Sequence, residues 1–310
     1  MIKIKVPSSS ANLGPGFDTL AMALGLYSEY SFEIIEKGIE IISPFQEFNN
    51  PSNLVYTSLI KTLEFENLTF DKGIRIKISS DIPISRGLGS SASCILGGVS
   101  AAYLLSEKVF DRQKIFDTAC RIEGHCDNVA AQLFGGITTS VNLGEIFLYE
   151  KINIKKPFKI YPLIPDFRLE TKKSREILPK TVSLKDAVSN IGNSAMLITS
   201  LINGNYENIK HYLNDKIHQP YRASLVNGFD SIKNKALEFG AMGVYLSGAG
   251  PTVMTLKENF DKEYEKNLKD FLSSLTDKWV ILQLELDTDG LKYESSWRSE
   301  ERRVGKECRS

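Results

Sequence analysis

Three observations predict a protein of two domains that mixes helices with strands. At 310 residues the chain is longer than the about 250–300 residues at which one hydrophobic core stops growing. In its first half, runs with the period of a strand alternate with runs that have the period of a helix. Pro157, Pro162 and Pro165 then punctuate the sequence and place a soft domain boundary near residue 165. The expected units are 1–165 and 166–297, followed by a tail at 298–310.

Ile2, Ile4 and Val6 alternate with Lys3 and Lys5, so a strand opens the chain. Residues 7–16, rich in Ser, Asn, Gly and Pro, read as a loop, and Phe17 to Leu24 as a short helix. Strands are expected at Tyr30 to Ile35 and Ile39 to Ile42. The turn cluster Asn49 to Asn53 offers side-chain acceptors to cap a helix from Leu54 to Phe65. Ile74, Ile76 and Ile78 form a strand, the small residues of Ala92 to Leu105 a closely packed helix, and Asp111 caps a helix that stops at Gly124. A short helix, Val129 to Phe134, precedes strands near 137–143, 146–154 and 158–164. The second half predicts helices near 184–203, 205–214, 229–239 and 259–275, with strands near 242–247, 252–256 and 279–287.

Composition narrows the partners. Lys and Arg balance Asp and Glu at 38 each, for a net charge of zero, so there is no basic field for nucleic acid or an anionic membrane. Cys94, Cys120, Cys126 and Cys308 are irregularly spaced and fit reduced thiols in a cytoplasmic protein. The N-terminus lacks the apolar core of a signal peptide, and no segment reaches membrane-spanning length. From Arg298 to Ser310 the tail carries five basic and three acidic residues but only Val304 and Cys308 as apolar ones, which reads as a non-native or disordered segment.

The most informative stretch is Pro83-Ile84-Ser85-Arg86-Gly87-Leu88-Gly89-Ser90-Ser91-Ala92-Ser93. It joins a strand to a helix, with glycines that let backbone amides approach an anion and a helix N-terminus that favours negative charge. A Walker loop would need Lys where Ser90 stands. The dinucleotide fingerprint matches formally, but Asp111, at the right distance, opens a helix, and the link from strand to glycine is too long. A hydrolase is poorly supported, since no G-x-S-x-G elbow accompanies the few histidines.

This loop resembles the phosphate-binding motif of the GHMP small-molecule kinases, named for galactose, homoserine, mevalonate and phosphomevalonate. Pro7 to Asp18 is similar to the family's first motif and Leu246 to Thr252 to its third, with Gly248 and Gly250 near the nucleotide, so the resemblance spans nearly the whole chain. Ser10 to Asp18, Glu123 to Ala130, Thr171 to Pro179 and Gln219 to Arg222 resemble the branch that phosphorylates L-homoserine with ATP, a step of threonine biosynthesis. The resemblance implies a two-domain α+β fold: an N-terminal mixed-sheet nucleotide domain and a C-terminal antiparallel, ferredoxin-like domain. A mevalonate-type kinase and a non-catalytic ligand sensor on the same fold are the alternatives, and a homodimer is a family-level expectation.

The resemblance also places Asn12, Asp18, His125, Asp127, Asn128, Arg175 and Arg222 around the amino acid. Asp18 suits its ammonium, and Arg175 with Arg222 its carboxylate. Mg2+ is expected on Ser91 and Glu123, with Asp117 fitting the longer spacing of some relatives, and Asn53 borders the adenine. Asn128 stands where many relatives carry Asp. A neutral amide is a poor proton acceptor, so the expected catalytic set is Ser91, Glu123 and Asn128 without a strong base.

Overall fold

In a computed structural model, residues 1–295 are described; the expected tail at 298–310, with Cys308, lies outside them. The chain opens with β1 (Ile2–Ala11), β2 (Leu20–Ile35) and β3 (Ile39–Ile42), followed by α1 (Leu54–Phe65) and β4 (Gly73–Ser80). Next come α2 (Ser90–Leu105), α3 (Arg112–Glu123), α4 (Asp127–Phe134), the hairpin β5 (Ile137–Asn142) and β6 (Phe147–Ile152), and β7 (Lys159–Pro165). The second half holds α5 (Thr171–Glu176), α6 (Leu184–Asn203), α7 (Ile209–Tyr212), α8 (Gln219–Arg222) and α9 (Phe229–Glu238). It closes with β8 (Gly243–Leu246), β9 (Val253–Lys257), α10 (Lys262–Ser273), β10 (Trp279–Ile281) and β11 (Lys292–Ser295).

The first sheet runs β11-β1-β2-β4-β3, with the β5–β6 hairpin paired to β2. It is mixed: β3 lies parallel to β4 while the other pairs are antiparallel. The second sheet, β10-β7-β9-β8, is antiparallel throughout. On one face of the first sheet Ile4, Tyr30, Phe32 and Ile76 pack against Leu59, Leu96, Val99, Phe116 and Val129 of α1 to α4. On its other face Met22 and Leu24 share a core with Ile160, Tyr245 and Met254 of the second sheet and Leu197 of α6. A further cluster, with Ile232 and Leu268, fixes α9 and α10 on the second sheet.

This architecture is the expected α+β arrangement, and several local expectations change. Residues 17–24 are not a helix: from Leu20 they belong to β2, and Leu20 to Leu24 are buried. A continuous apolar run buried on both sheet faces has no strand alternation, so its period cannot separate it from a helix. The presumed loop at 7–16 is strand as far as Ala11, with Ser8, Ser9 and Ser10 fully buried. Ser10 Oγ makes hydrogen bonds to Tyr245 Oη (2.9 Å) and Ser247 Oγ (2.8 Å), so its partners lie more than 200 residues away.

The helix expected at 205–214 is only Ile209–Tyr212, and the strand expected at 279–287 stops at Ile281 before single bridges from Leu284 and Leu286. Helices α5 and α8 and strand β11 had no sequence expectation. Because β7 already belongs to the second sheet and β11 returns to the first, a cut near residue 165 divides the sequence but not the sheets. The domains 1–165 and 166–297 stand as a proposal.

Candidate active site

Strand β4 ends at Ser80, and residues 81–89 lead into α2. Gly89, at φ 73°, is the N-cap of α2 and offers no side chain, so the first amides of this helix face the cleft uncapped. Glycine is required here. A Cβ on Gly89 would collide with Ser9 Oγ and Gln132 Nε2, and one on Gly87, also at positive φ, with the Ser247 carbonyl.

Neighbouring segments hold the loop. Ser9 N donates to Leu88 O (3.2 Å) and Gln132 Nε2 to Gly89 O (2.8 Å), while Ser247 Oγ donates to Gly87 O (2.6 Å). Arg86 ties the loop to the end of β7 by donating from Nε to Pro165 O (2.9 Å) and from Nη2 to Asp166 O (2.6 Å). Burial lowers the Arg86 pKa, and Arg168 adds to the effect. The three glycine segments of the sequence therefore meet at one place.

They border a cleft of about 540 Å³. Ile84, Ser85, Arg86, Gly87, Gly89, Ser90 and Ser91 line it, as do Gly248, Asn12, Asp18, Glu123, His125, Asp127, Asn128, Arg175, Arg222 and Asn53. Pro83, Leu88, Ala92, Ser93 and Gly250 do not. Leu88, Ala92 and Ser93 are buried beneath the loop, and Ser93 Oγ bonds to Tyr30 Oη (2.8 Å).

One end of the cleft is apolar. Tyr30, Phe45, Phe48, Leu54 and Ile78 line it, with Phe45 and Phe48 edge to face at 6.3 Å. Sequence reading missed this aromatic pair, whose only signal is two phenylalanines in a polar link after β3. Asn53 caps α1 by accepting from Val55 N (2.9 Å) and donates to Phe48 O (2.9 Å). Both ends of its amide are thereby engaged in shaping the aromatic wall.

The other end is charged. Asp18, at φ 53°, accepts bidentate hydrogen bonds from Arg175 Nη1 (2.9 Å) and Nη2 (2.8 Å). Asn12 Oδ1 accepts from Asp18 N (3.0 Å), and its Nδ2 donates to Gly248 O (3.0 Å), so this amide joins the first and third glycine segments. Arg222 is 2% exposed. Its Nη1 donates to Gly248 O (2.9 Å), its Nε to Ser174 O (3.2 Å), and its guanidinium lies 5.1 Å from the Phe17 ring centre. Burial and the like charge of Arg175 push the Arg222 pKa down to about 10, which still leaves it cationic at neutral pH.

His218 is a second residue the sequence reading missed, although it stands one helical turn before Arg222. It is fully buried, stacks on Phe17 with ring centres 5.1 Å apart, and places Nε2 2.8 Å from Gly14 O. A carbonyl only accepts, so Nε2 carries the hydrogen and the bare Nδ1 faces Arg222 Nη1 at 3.5 Å. Burial lowers the His218 pKa and favours this neutral form.

Between the two ends, Ser91 Oγ donates to Glu123 Oε2 (2.9 Å). Burial raises the Glu123 pKa and outweighs the opposing effects of His125, the Ser91 hydroxyl and Arg175. His125 Nδ1 lies 3.5 Å from Asp127 Oδ1, an ion-pair separation rather than a good hydrogen bond. Burial opposes the His125 charge, but Asp127 and Glu123 outweigh it and the pKa rises. Asp127 Oδ1 accepts from Asn128 N (2.7 Å), and Asn128 Oδ1 accepts from Ser9 Oγ (2.7 Å). Asp117 bonds to Gln113 (2.9 Å) and lies outside the cleft lining.

A hydroxyl beside a carboxylate suits a hard cation that takes its remaining oxygen ligands from water and from phosphates held at the adjoining helix N-terminus. The pair is too small to form a protein-only cage: among the described residues no group of three or more His, Cys, Asp or Glu is placed to hold a metal. The donor set therefore fits Mg2+ bound together with a nucleotide.

Comparison with known proteins gives one answer. Residues 53–136 match the GHMP kinase N-terminal domain and residues 197–277 the GHMP kinase C-terminal domain. Two homoserine kinases of Clostridium botulinum, strains Langeland and Kyoto, are 41% and 42% identical over 94% of this chain and 97% of their own lengths. The crystal structure of homoserine kinase from Cytophaga hutchinsonii superposes with a TM-score of 0.82 at 27% identity, covering 94% of this chain and 97% of that one. A mevalonate kinase structure, 20% identical with a TM-score of 0.70 and covering 93% of this chain and 99% of its own, shares the fold.

Proposed function

This chain belongs to the homoserine kinases of the GHMP family, and we propose that its cleft works by positioning and charge rather than through a strong base. The enzyme transfers the γ-phosphoryl group of ATP to the hydroxyl of L-homoserine, giving ADP and O-phospho-L-homoserine. The observation that carries the proposed site is the cluster of Asp18, Arg175 and Arg222 in the same cleft as the uncapped N-terminus of α2.

In this reading the adenine occupies the apolar end, between Phe45, Phe48, Tyr30 and Ile78. The phosphates take the amides of Gly87 to Ser91 and the positive end of α2. Asp18 receives the homoserine ammonium, and Arg175 and Arg222 its carboxylate, each by charge-assisted hydrogen bonds. His125 and Asn12 border the amino acid, and Arg222 is held by Phe17 and His218 from below. Ser91 and Glu123 would hold Mg2+, which supplies charge neutralisation on the transferred group.

Neither residue of the Asp127–Asn128 pair is free to act as a strong base. Asn128 is an amide already bonded to Ser9, and Asp127, 2% exposed in the first turn of α4, accepts from Asn128 N. The homoserine hydroxyl is instead aligned with the γ-phosphate, and its proton leaves after the largely dissociative step. A pH profile of kcat that required one basic group near Asp127 would overturn this.

A second copy of the chain, which the family resemblance implies, is the proposed macromolecular partner. Among the described residues no helix is long and apolar enough to cross a membrane, and the cytoplasm, which supplies ATP, is the proposed location. The substrate assignment is tested by offering ATP and Mg2+ with homoserine, mevalonate, galactose or no acceptor. ADP release should depend on homoserine, and equal turnover with mevalonate would refute it.

A further inference from the structure

Helix α6 is turned inside out relative to an ordinary amphipathic helix. Its inward side carries Asn190 (3% exposed) and Ser200 (5%) beside Leu197 and Leu201, whereas Leu184 (82%), Val188 (60%), Ile191 (70%) and Ile202 (49%) face outward. Buried Asn190 is satisfied, donating to Asp215 Oδ1 (2.6 Å) and Pro15 O (3.2 Å). Leu184, Val188, Ile191, Ala195 and Ile202, with Ile198 half-buried against the core, repeat at alternating intervals of four and three residues, the seam of one helix packed along another.

Gly192 lies on the same exposed side, and a Cβ there would meet no atom within 4 Å. A mid-helix glycine costs about 1 kcal/mol relative to alanine, and nothing within the monomer requires it. A backbone crossing close to it would.

We propose that a second copy of this chain covers this face, α6 against α6, antiparallel about a two-fold axis. The inference rests on the homodimer proposed above and adds its surface. Charge sets the direction: Lys185 is the only charged residue on the exposed side of the helix. An antiparallel pair brings it to the C-terminal carbonyls of the other α6 and to exposed Glu207 just beyond, whereas a parallel pair sets the two lysines together.

Area points the same way. A 20-residue helix is about 30 Å long, so a face about 10 Å wide covers about 300 Å², less than the about 800 Å² per partner of a stable dimer. Exposed Ile177 and Val182, just before the helix, and Met196 within it add to this surface. The apolar surface of α6 thus continues into the segment that leads into it, as one interface patch would.

The test is the mass of the full-length protein by light scattering after size exclusion and by sedimentation equilibrium, over about 1–100 μM. Wild type should be a dimer. Val188→Lys with Ile191→Lys, at positions mostly exposed in the monomer, should weaken dimerisation at least about a hundredfold while circular dichroism stays unchanged. Gly192→Leu should weaken it too, although leucine is the better helix former. A dimer that survives all these changes would overturn the assignment of the face and leave the homodimer standing. A wild-type monomer throughout the range would overturn both.

Discussion

Replacing Arg175 by alanine should raise KM for homoserine while leaving kcat and KM for ATP nearly unchanged. Two charge-assisted hydrogen bonds to the substrate carboxylate are together worth about 1.5–3 kcal/mol, or about ten- to a hundredfold in affinity. The bidentate pair with Asp18 opposes binding, since it must loosen before the zwitterion can engage both partners. That pair is about a third exposed on each side, at 36% and 35%, so water screens it to at most about 1 kcal/mol.

Removing Arg175 thus frees Asp18 for the ammonium and returns part of the loss, leaving a rise in KM of about five- to fiftyfold. Arg175→Lys, which keeps the charge and loses the fork, should fall between. The assay is ADP release at saturating ATP with homoserine varied, with calorimetry for binding and a melting curve for the fold. Because the pair is weak, Tm should fall by no more than about 2–4 °C. A fall in kcat with KM unmoved would mean that Arg175 acts on the phosphoryl group, and no change in either would remove it from the site.

Ser91→Ala should lower kcat at least about tenfold with little effect on homoserine affinity, and added Mg2+ should recover part of the loss; a pure KM effect on homoserine would show the two ends of the site to be exchanged. Gly89→Ala forces a Cβ into Ser9 and Gln132 at φ 73° and should cost about 1–3 kcal/mol of stability together with ATP binding measured by calorimetry, so a variant that binds ATP normally would refute the cradle. His125 has a folded pKa raised above its usual value. Its contribution to stability is full below the unfolded pKa of about 6.5 and is lost as pH rises through the folded value. The ligand-free enzyme should therefore lose stability across that window, and His125→Gln should flatten the dependence; an unchanged slope in melts taken across it would show that His125 does not titrate there.

The nucleotide half of the site was legible because its chemistry is local. Gly87, Gly89, Ser90 and Ser91 lie within five consecutive residues, and their strand-loop-helix setting follows from alternation before them and small residues after them. Arg222 and Asp18 were legible only through motif resemblance, since alone each reads as a surface charge or a helix cap. Phe45, Phe48 and His218 were not found. Two phenylalanines in a polar link and a histidine ahead of a short helix carry no periodic signal, and their importance lies in what they touch. The errors at 7–11 and 17–24 share a cause. Local polarity and periodicity report one face of one element, but Ser8 to Ser10 and Leu20 to Leu24 are buried by partners from elsewhere in the chain.

The sequence by itself determined the mixture of helices and strands and the phosphate loop, because hydrophobic period and glycine spacing are written along the chain, while the α+β class and the amino-acid substrate followed from motif resemblance. Only the tertiary structure decided that Asp18 and Arg175, 157 residues apart, meet as an ion pair in the free enzyme, and that His218 and Phe17 support Arg222. It alone turned the leucine and isoleucine stripe of α6 outward. Helical period reveals that a stripe exists, while only the packing of Asn190, Leu197 and Ser200 against the body of the protein fixes which side of the helix faces solvent.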